Sequence, residues 1–389
     1  MEQAEEPRAL LQGIRVIDMT TIVFGPYATR LLADMGADVV KVETPGGDQF
    51  RQAGKPAVTR GMGGCHMTLN RGKRSVELDL KAGSDRETLR AMLADADIFI
   101  HNVRASAIDR LGFSYEAVKA IRPDILYIHC VGFGSDGPYA GLQAYDDVIQ
   151  AASGAASLMS KVDGNPSPRY IPSTIADKVA GLHAAYAMTA ALVHRLRTGE
   201  GQHVEVPMFE AFTHFLLEEH LFSGTFIPPT GPIGYGRQLD PDRQPFPTAD
   251  GHISIVPYTD ASWVALLGLM GRGDLLEDAR FATPRDRARN IADLYRTVAA
   301  MTPSRSTADW TALLADANIP AMAVRDLADI VNDPHLAQSG FFARREHPSE
   351  GPYLEMRPPV RFGAAPDLPR RPAPRLGEHD ADFKTGKEA

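Results

Sequence analysis

Asp177 is the side chain whose setting most invites a chemical role. It opens a long helical pattern, residues 177–197, and follows Pro172-Ser-Thr174. Two roles fit an acid there. An Asp in the first turn of a helix is ordinarily a cap that accepts orphan backbone N–H groups. The same position suits a nucleophile, because the helix dipole favours the anion and a carboxylate can attack an activated acyl group. A second candidate is Gly132-Phe-Gly-Ser-Asp-Gly137, which fits the pattern G-x-G-x-x-G and follows a strand pattern at 125–131. A dinucleotide fingerprint needs its third glycine to open a helix facing the pyrophosphate. Here Gly137 runs into Pro138-Tyr-Ala-Gly141, which reads as a turn, and no strand follows to carry the acidic ribose ligand. A nucleotide-dependent oxidoreductase is therefore the lesser reading. The plainer one is a flexible loop at the carboxyl edge of a sheet, where open α/β sheets place ligands.

The elements that must position these residues alternate. Strand patterns at 13–18, 38–42, 75–80, 97–101 and 125–131 are separated by helical patterns at 27–35, 85–94 and 115–121. That alternation predicts a parallel α/β sheet. After a helical region from Asp146, the 177–197 helix, a strand at 203–206 and a helix at 207–222, the texture changes. Residues 224–247 are rich in Pro and Gly and read as a crossover. A smaller α+β domain follows, with a strand at 251–256 and helices at 263–270, 292–301 and 308–315. The predicted organisation is a large Rossmann-like domain over 1–223, a small domain over 224–330, and a C-terminal segment over 331–389. From about Gly351 that segment reads as irregular and surface-bound.

Bulk properties remove several classes of function. The chain of 389 residues has a formal net charge of −8, which argues against general binding to nucleic acid or membrane, both anionic. Cys65 and Cys130 stand in unrelated contexts and cannot by themselves form a structural zinc site. No disulfide framework is needed at this size. The acidic N-terminus has no apolar signal core, and no run of about 18 apolar residues offers a membrane span. The expected location is the cytoplasm.

Several segments carry a resemblance. They are Asp18-Met-Thr-Thr-Ile-Val-Phe-Gly-Pro26, Leu32-Ala-Asp-Met-Gly-Ala-Asp-Val-Val-Lys-Val-Glu43, Asn70-Arg-Gly-Lys-Arg-Ser-Val-Glu-Leu-Asp-Leu-Lys81 and Asp97-Ile-Phe-Ile-His-Asn-Val103, continuing to Arg110-Leu-Gly112. Then come Ile175-Ala-Asp-Lys-Val-Ala-Gly181, Thr198-Gly-Glu-Gly-Gln-His-Val-Glu-Val206, Gly340-Phe-Phe342 and Leu376-Gly-Glu-His379. In this order they resemble the class III CoA-transferases, the family of formyl-CoA transferase and carnitine CoA-transferase, within a superfamily that includes acyl-CoA racemases. The resemblance implies a homodimer of two interlocked rings, with the C-terminal segment returning to the large domain. It also implies transfer of coenzyme A from an acyl-CoA donor to a carboxylic acid, with CoA as substrate and no permanently bound cofactor.

By position, the resemblance assigns Asp177 as nucleophile. It assigns CoA contacts to Ile22, Val23 and Phe24, to Leu78 and Lys81, and to Asn102, Ala107 and Arg110. Lys81 and Arg110 are natural phosphate partners, although surface cations more commonly just solvate a helix face. Thr44 stands where formyl-CoA transferase carries a cation, and Val103 where carnitine CoA-transferase has a lysine, with Arg104 as the compensating charge. The Gly132–Gly137 loop offers N–H groups to an anhydride oxyanion. The four-glycine lid of formyl-CoA transferase is absent; Gly231, Gly234 and Gly236 are a sparse substitute, which argues against oxalate or formate. A racemase needs a second base across the α-carbon, and Tyr145 replaces the family's histidine. A CoA-binding protein without catalysis fits poorly with an intact Asp177.

Overall fold

The computed structural model describes residues 9–364 and 370–384. Mainly apolar runs produce β1 (Arg15–Met19), β2 (Asp38–Glu43), β4 (Ile98–His101) and β5 (Leu126–Val131), while the more polar β3 (Lys73–Glu77) and β6 (Gln202–Pro207) form the two edges. They form one sheet in the order β3-β2-β1-β4-β5-β6, with every pairing parallel. Central strands such as β4 are buried along their whole length, as a sheet covered on both faces requires.

The connections supply α1 (Phe24–Asp34), α2 (Gly64–Leu69), α3 (Gly83–Ala94), α4 (Ala105–Leu111), α5 (Tyr115–Ile121), α6 (Asp146–Ala152), α7 (Leu158–Val162), α8 (Ile175–Thr198) and α9 (Met208–His220). On one face, α1, α8 and α9 pack around Leu32, Ile100, Ala180 and Phe212. On the other, α3 and α5 pack around Leu89, Phe99 and Val118. Strand order reverses between β1 and β4, so the loops after those two strands diverge and open a crevice at the carboxyl edge.

The chain divides into two compact units. The first holds residues through 156, 170–217 and those from 336 onward; the second holds Ser157–Arg169 and Glu218–His335. Sequence patterning gave no sign that residues 157–169 leave the large domain. The second unit has an antiparallel sheet of β7 (Phe246–Pro247), β8 (His252–Ile255) and β9 (Ala321–Ala323). Around it pack α10 (Asp260–Leu269), α11 (Pro284–Arg289), α12 (Ile291–Met301) and α13 (Thr307–Asp316), over a core that includes Trp263, Leu294 and Trp310.

Beyond α14 (Pro334–Gln338), the expectation of an irregular tail from about Gly351 fails over residues 351–356 and holds for most of the described residues after them. β10 (Phe342–His347) and β11 (Gly351–Met356) form an antiparallel pair. The pattern misleads because β11 is inverted: Glu355 is buried while Leu354 and Met356 face solvent. Residues 371–380 then run along β3. Gly72 N–H donates to Arg371 O (2.8 Å), His379 N–H to Ser75 O (2.9 Å) and Glu77 N–H to Asp380 Oδ1 (2.8 Å). The short α15 (Asp380–Phe383) ends this stretch.

Candidate active site at the start of the long helix

The turn between β1 and α1 is built on buried charge. Asp18 pairs with Lys73 Nζ at 3.0 Å, and both side chains are fully buried. Burial opposes ionisation of Asp18, yet Lys73 and Lys41 with the Thr20 and Thr29 hydroxyls hold its carboxyl at about 2. Lys41 Nζ donates to Thr20 O (2.8 Å) and Asp48 Oδ2 (3.1 Å), and Asp48 in turn accepts the Ile22 N–H at 3.1 Å. This clamp holds Ile22 at φ 70°, a left-handed conformation that is costly for a β-branched residue and persists only where the surroundings over-determine it. The turn brings Phe24, the first residue of α1, beside Asp177, where its N–H favours the ionised form of the carboxyl.

Helix α8 can approach because residue 181 is glycine. A Cβ there would lie 2.9 Å from both Phe24 O and Tyr27 Cδ1. Asp177 is the third residue of α8 and only 6% exposed. Its carboxyl is pushed up to about 7, first by burial and then by the charge of Asp146, against the Phe24 N–H and Lys178, which lower it. The expectation that this group is simply held anionic is therefore corrected: burial and the Asp146 charge raise it above its ordinary value. The cap role that local pattern offered Asp177 belongs to Asp146. Asp146 Oδ1 accepts the N–H groups of Ala176 (2.7 Å) and Asp177 (3.1 Å), and its Oδ2 accepts from Gln150 Nε2 (2.6 Å).

The glycine loop has a different task from either one expected of it. Gly134 N–H donates to Glu210 Oε1 (3.0 Å) and Ser135 N–H to Glu205 Oε1 (2.9 Å). Gly137 N–H points to Gly134 O. These donors are spent within the fold, so the loop as arranged does not offer them to an oxyanion. No helix opens at Gly137, since α6 begins nine residues later at Asp146, and the dinucleotide fingerprint is not formed.

The remaining residues singled out in the sequence fall on the carboxyl ends of four adjacent strands. Ile22, Val23 and Phe24 follow β1, Thr44 follows β2, Leu78 and Lys81 follow β3, and Asn102, Arg104, Ala107 and Arg110 follow β4. Asn102 closes the crevice at its base: Nδ2 donates to Thr21 O and Oδ1 accepts Thr21 N–H, each at 3.2 Å. Thr44, Lys81, Arg104 and Arg110 are exposed and Ala107 is half-buried. Among the described residues no carboxylate pairs with Lys81, Arg104 or Arg110, whereas the buried cations Lys41, Arg51, Arg71 and Lys73 all have acidic partners. The side chains of Val23, Phe24 and Leu78 are buried in the core. Sequence reading missed Asp48, Asp146 and His129, whose Nε2 bonds Val103 O (3.0 Å) and tethers the loop after β4.

Comparison with known proteins agrees with this geometry. The family model described as CoA-transferase family III matches residues 11–380. The chain is 31% identical over 380 residues to a succinate–glutarate CoA-transferase of Agrobacterium fabrum, covering 95% of this chain and 94% of that one. It is 32% identical over 388 residues to a succinyl-CoA:mesaconate CoA-transferase of Haloarcula hispanica, covering 96% and 95%. With a formyl-CoA:oxalate CoA-transferase of Escherichia coli O157:H7 it shares 32% over 405 residues, covering 95% and 94%. Among solved structures, a CAIB/BAIF family protein from Brucella suis superposes with a TM-score of 0.82 at 31% identity, over 97% of this chain and 98% of that one. A hypothetical protein from Mycobacterium tuberculosis gives 0.84 at 29%, over 97% and 100%. Sheet topology, the glycine-permitted approach of α8 to α1 and these similarities converge: the chain belongs to CoA-transferase family III.

Proposed function

We propose that this enzyme moves coenzyme A from an acyl-CoA donor to a short dicarboxylic acid, with Asp177 as the covalent carrier. The observation that carries the reading is the Asp177 carboxyl: buried, raised above its ordinary value by that burial and by Asp146, and favoured as the anion by the Phe24 N–H that follows β1. The Asp177 carboxylate attacks the thioester carbonyl, giving a mixed anhydride and CoA thiolate. The thiolate attacks the aspartyl carbonyl, releasing the donor acid and leaving an aspartyl-CoA thioester. The acceptor carboxylate then forms a second anhydride and frees the thiolate, which takes the acceptor acyl group and restores Asp177. The Phe24 N–H is the donor placed to stabilise charge on the aspartyl oxygen.

In this reading the crevice after β1 and β4 takes the pantetheine arm, against the backbone of residues 22–24 and beside Asn102 and Ala107. Lys81, Arg104 and Arg110 take the phosphates, and Thr44 and Leu78 border the nucleotide. The dicarboxylate class is supported by two relatives, whose names specify succinate, glutarate and mesaconate; the formyl-CoA:oxalate relative supports it less, since the four-glycine lid is absent here. The active form is a homodimer of interlocked rings, supported by family membership and by the exposed apolar residues Leu182, Tyr186, Val193 and Leu196 on α8. A cytoplasmic setting is supported by two free thiols, Cys65 and Cys130. Among the described residues no helix is long and apolar enough to cross a membrane.

The test incubates the protein with succinyl-CoA and a panel of mono- and dicarboxylic acids, and separately with donor alone. Transfer to a dicarboxylate and a hydroxylamine-trappable thioester on the peptide carrying Asp177 are expected. Proton exchange at C2 of a 2-methylacyl-CoA in heavy water, with no transfer to any acid, would convert the assignment to a racemase. A trapped adduct on another residue would move the nucleophile.

A further inference from the structure

The second unit contains a cavity of about 470 Å³ that shares no residue with the Asp177 site. Its size falls within the range of roughly 300–1,000 Å³ typical of small-ligand pockets. One wall is aromatic: Trp263 and Tyr295 are largely buried in the core beneath it, and Tyr258 stands exposed at its mouth. Phe246 and Ile255, from the antiparallel sheet, complete an apolar floor.

The polar lining is strongly one-sided. Arg237, Arg243 and Arg287 face a single carboxylate, Asp260. Asp260 is already engaged by Arg287, which is itself buried and also donates to Phe281 O. Among the described residues the other two guanidiniums have only neutral partners. Arg237 lies 5.3 Å from the centre of the Tyr258 ring, with the Tyr235 and Tyr295 hydroxyls favouring its charge. Arg243 Nη1 donates to Gln238 Oε1 at 2.7 Å. The neighbouring Asp242 is held by Arg296. Arginine presents a planar fork suited to carboxylate or phosphate and stacks on aromatic faces. Two such groups without a counter-ion, above aromatic walls, make a receptor for a flat body that carries negative charge.

We infer that this cavity is a second binding site, for a planar organic anion: a conjugated ring bearing a carboxylate or a phosphate. The ring lies against Trp263 and Tyr295, and the anionic group sits between Arg237 and Arg243. Gln244, Ser254 and Thr259, also in the lining, supply neutral polar groups for the ring's edge. The inference is independent of the nucleophile and the acceptor acid.

The chain has two tryptophans, Trp263 in the cavity wall and Trp310 in the core, so fluorescence of the Trp310→Phe variant reports on the cavity alone. Titration at fixed ionic strength would use benzoate, isophthalate and AMP, with benzamide and adenosine as uncharged counterparts; calorimetry on the unmodified protein gives a second readout. At least one anion should bind with a Kd below about 1 mM and at least about tenfold more tightly than its uncharged counterpart. The Arg237→Gln and Arg243→Gln variants should lose that advantage while keeping their melting temperature. Preference for benzoate or isophthalate identifies a carboxylate ligand, and preference for AMP a phosphorylated one. Equal binding of charged and uncharged probes, no binding of any anion, or retention of the preference in both variants would overturn the assignment.

Discussion

The carboxylate of Asp146 caps the helix that carries Asp177: one oxygen, Oδ1, accepts the backbone N–H groups of Ala176 and of Asp177 itself. The two acids are 31 positions apart and both are buried. Asp146 thus fixes where Asp177 stands, and its charge helps raise the Asp177 carboxyl to about 7. Positioning and proton affinity are set by the same contact.

Replacing Asp177 separates chemistry from folding. Asp177→Ala should abolish transfer and thioester formation while leaving CoA binding and near-native circular dichroism, because the cap is Asp146. The pH dependence of stability has a definite sign. In the folded protein Asp177 keeps its proton up to about 7, whereas its ordinary value is 3.8. The unfolded chain binds fewer protons between those values, so this group's contribution to stability is fully present below about pH 4 and is lost as pH rises through 7. Asp177→Asn should therefore be more stable than the parent at pH 8, by about 1–3 kcal/mol, with the difference vanishing near pH 4. Parallel denaturation curves at both pH values would contradict the burial argument.

A pH–rate profile reports the same group. On the proposed mechanism, in which the ionised carboxyl attacks, the acid limb of kcat/KM with succinyl-CoA should bend near pH 7 with unit slope. Asp146→Asn keeps an amide oxygen for the cap but removes the charge, so the bend should move to lower pH. The substitution also sets an amide donor against Gln150 Nε2, at a cost of about 1 kcal/mol in stability. An unmoved bend would mean that Asp146 acts on geometry alone.

Gly181→Val tests the approach of the two helices. A Cβ at this position meets Phe24 O and Tyr27 at 2.9 Å, so α1 and α8 must separate. Overpacking of this kind costs about 1–3 kcal/mol. Because the displaced residue supplies the N–H to Asp177, kcat/KM should fall by about tenfold or more. Loss of melting temperature with unchanged turnover would remove Phe24 from the mechanism.

Arg110→Ala should raise KM for acyl-CoA about tenfold, the worth of one charge-assisted hydrogen bond, and leave kcat nearly unchanged. The penalty should shrink at high salt, because the contact lies at the exposed rim. A fall in kcat at constant KM would place Arg110 with the reacting groups instead.

Static light scattering should return a dimer mass down to the lowest measurable concentration, since interlocked rings cannot part without unfolding. A monomer with native circular dichroism would leave the apolar face of α8 needing another cover.

What was legible in the sequence follows from the range of the interactions involved. β5 was readable because a central strand buried on both faces is a continuous apolar run, and α8 because Gly199, at φ 78°, terminates a long helical pattern. The environment of Asp177 was not. Asp146 sits in the first turn of α6 and looks like that helix's own acid, yet it serves α8; no local pattern encodes that service. The proton affinity of Asp177 depends on burial among elements distant in the chain, which is why a dipole argument drawn from its own helix gave the wrong sign. β11 was hidden by an inverted face, with Glu355 inside and leucine and methionine outside.

The irregular segment of residues 371–380 that runs along β3 has a consequence for biosynthesis. The partner of Glu77 N–H is Asp380, 303 residues later. At translation rates of about 5–20 residues per second, that gap is roughly 15–60 s. Throughout that interval the nascent sheet has an open, hydrogen-bonding border at β3, while the entire second unit is made in between. The large unit can close only after its neighbour has emerged, so the ribosome imposes an order of assembly in which the edge facing outward first is sealed last.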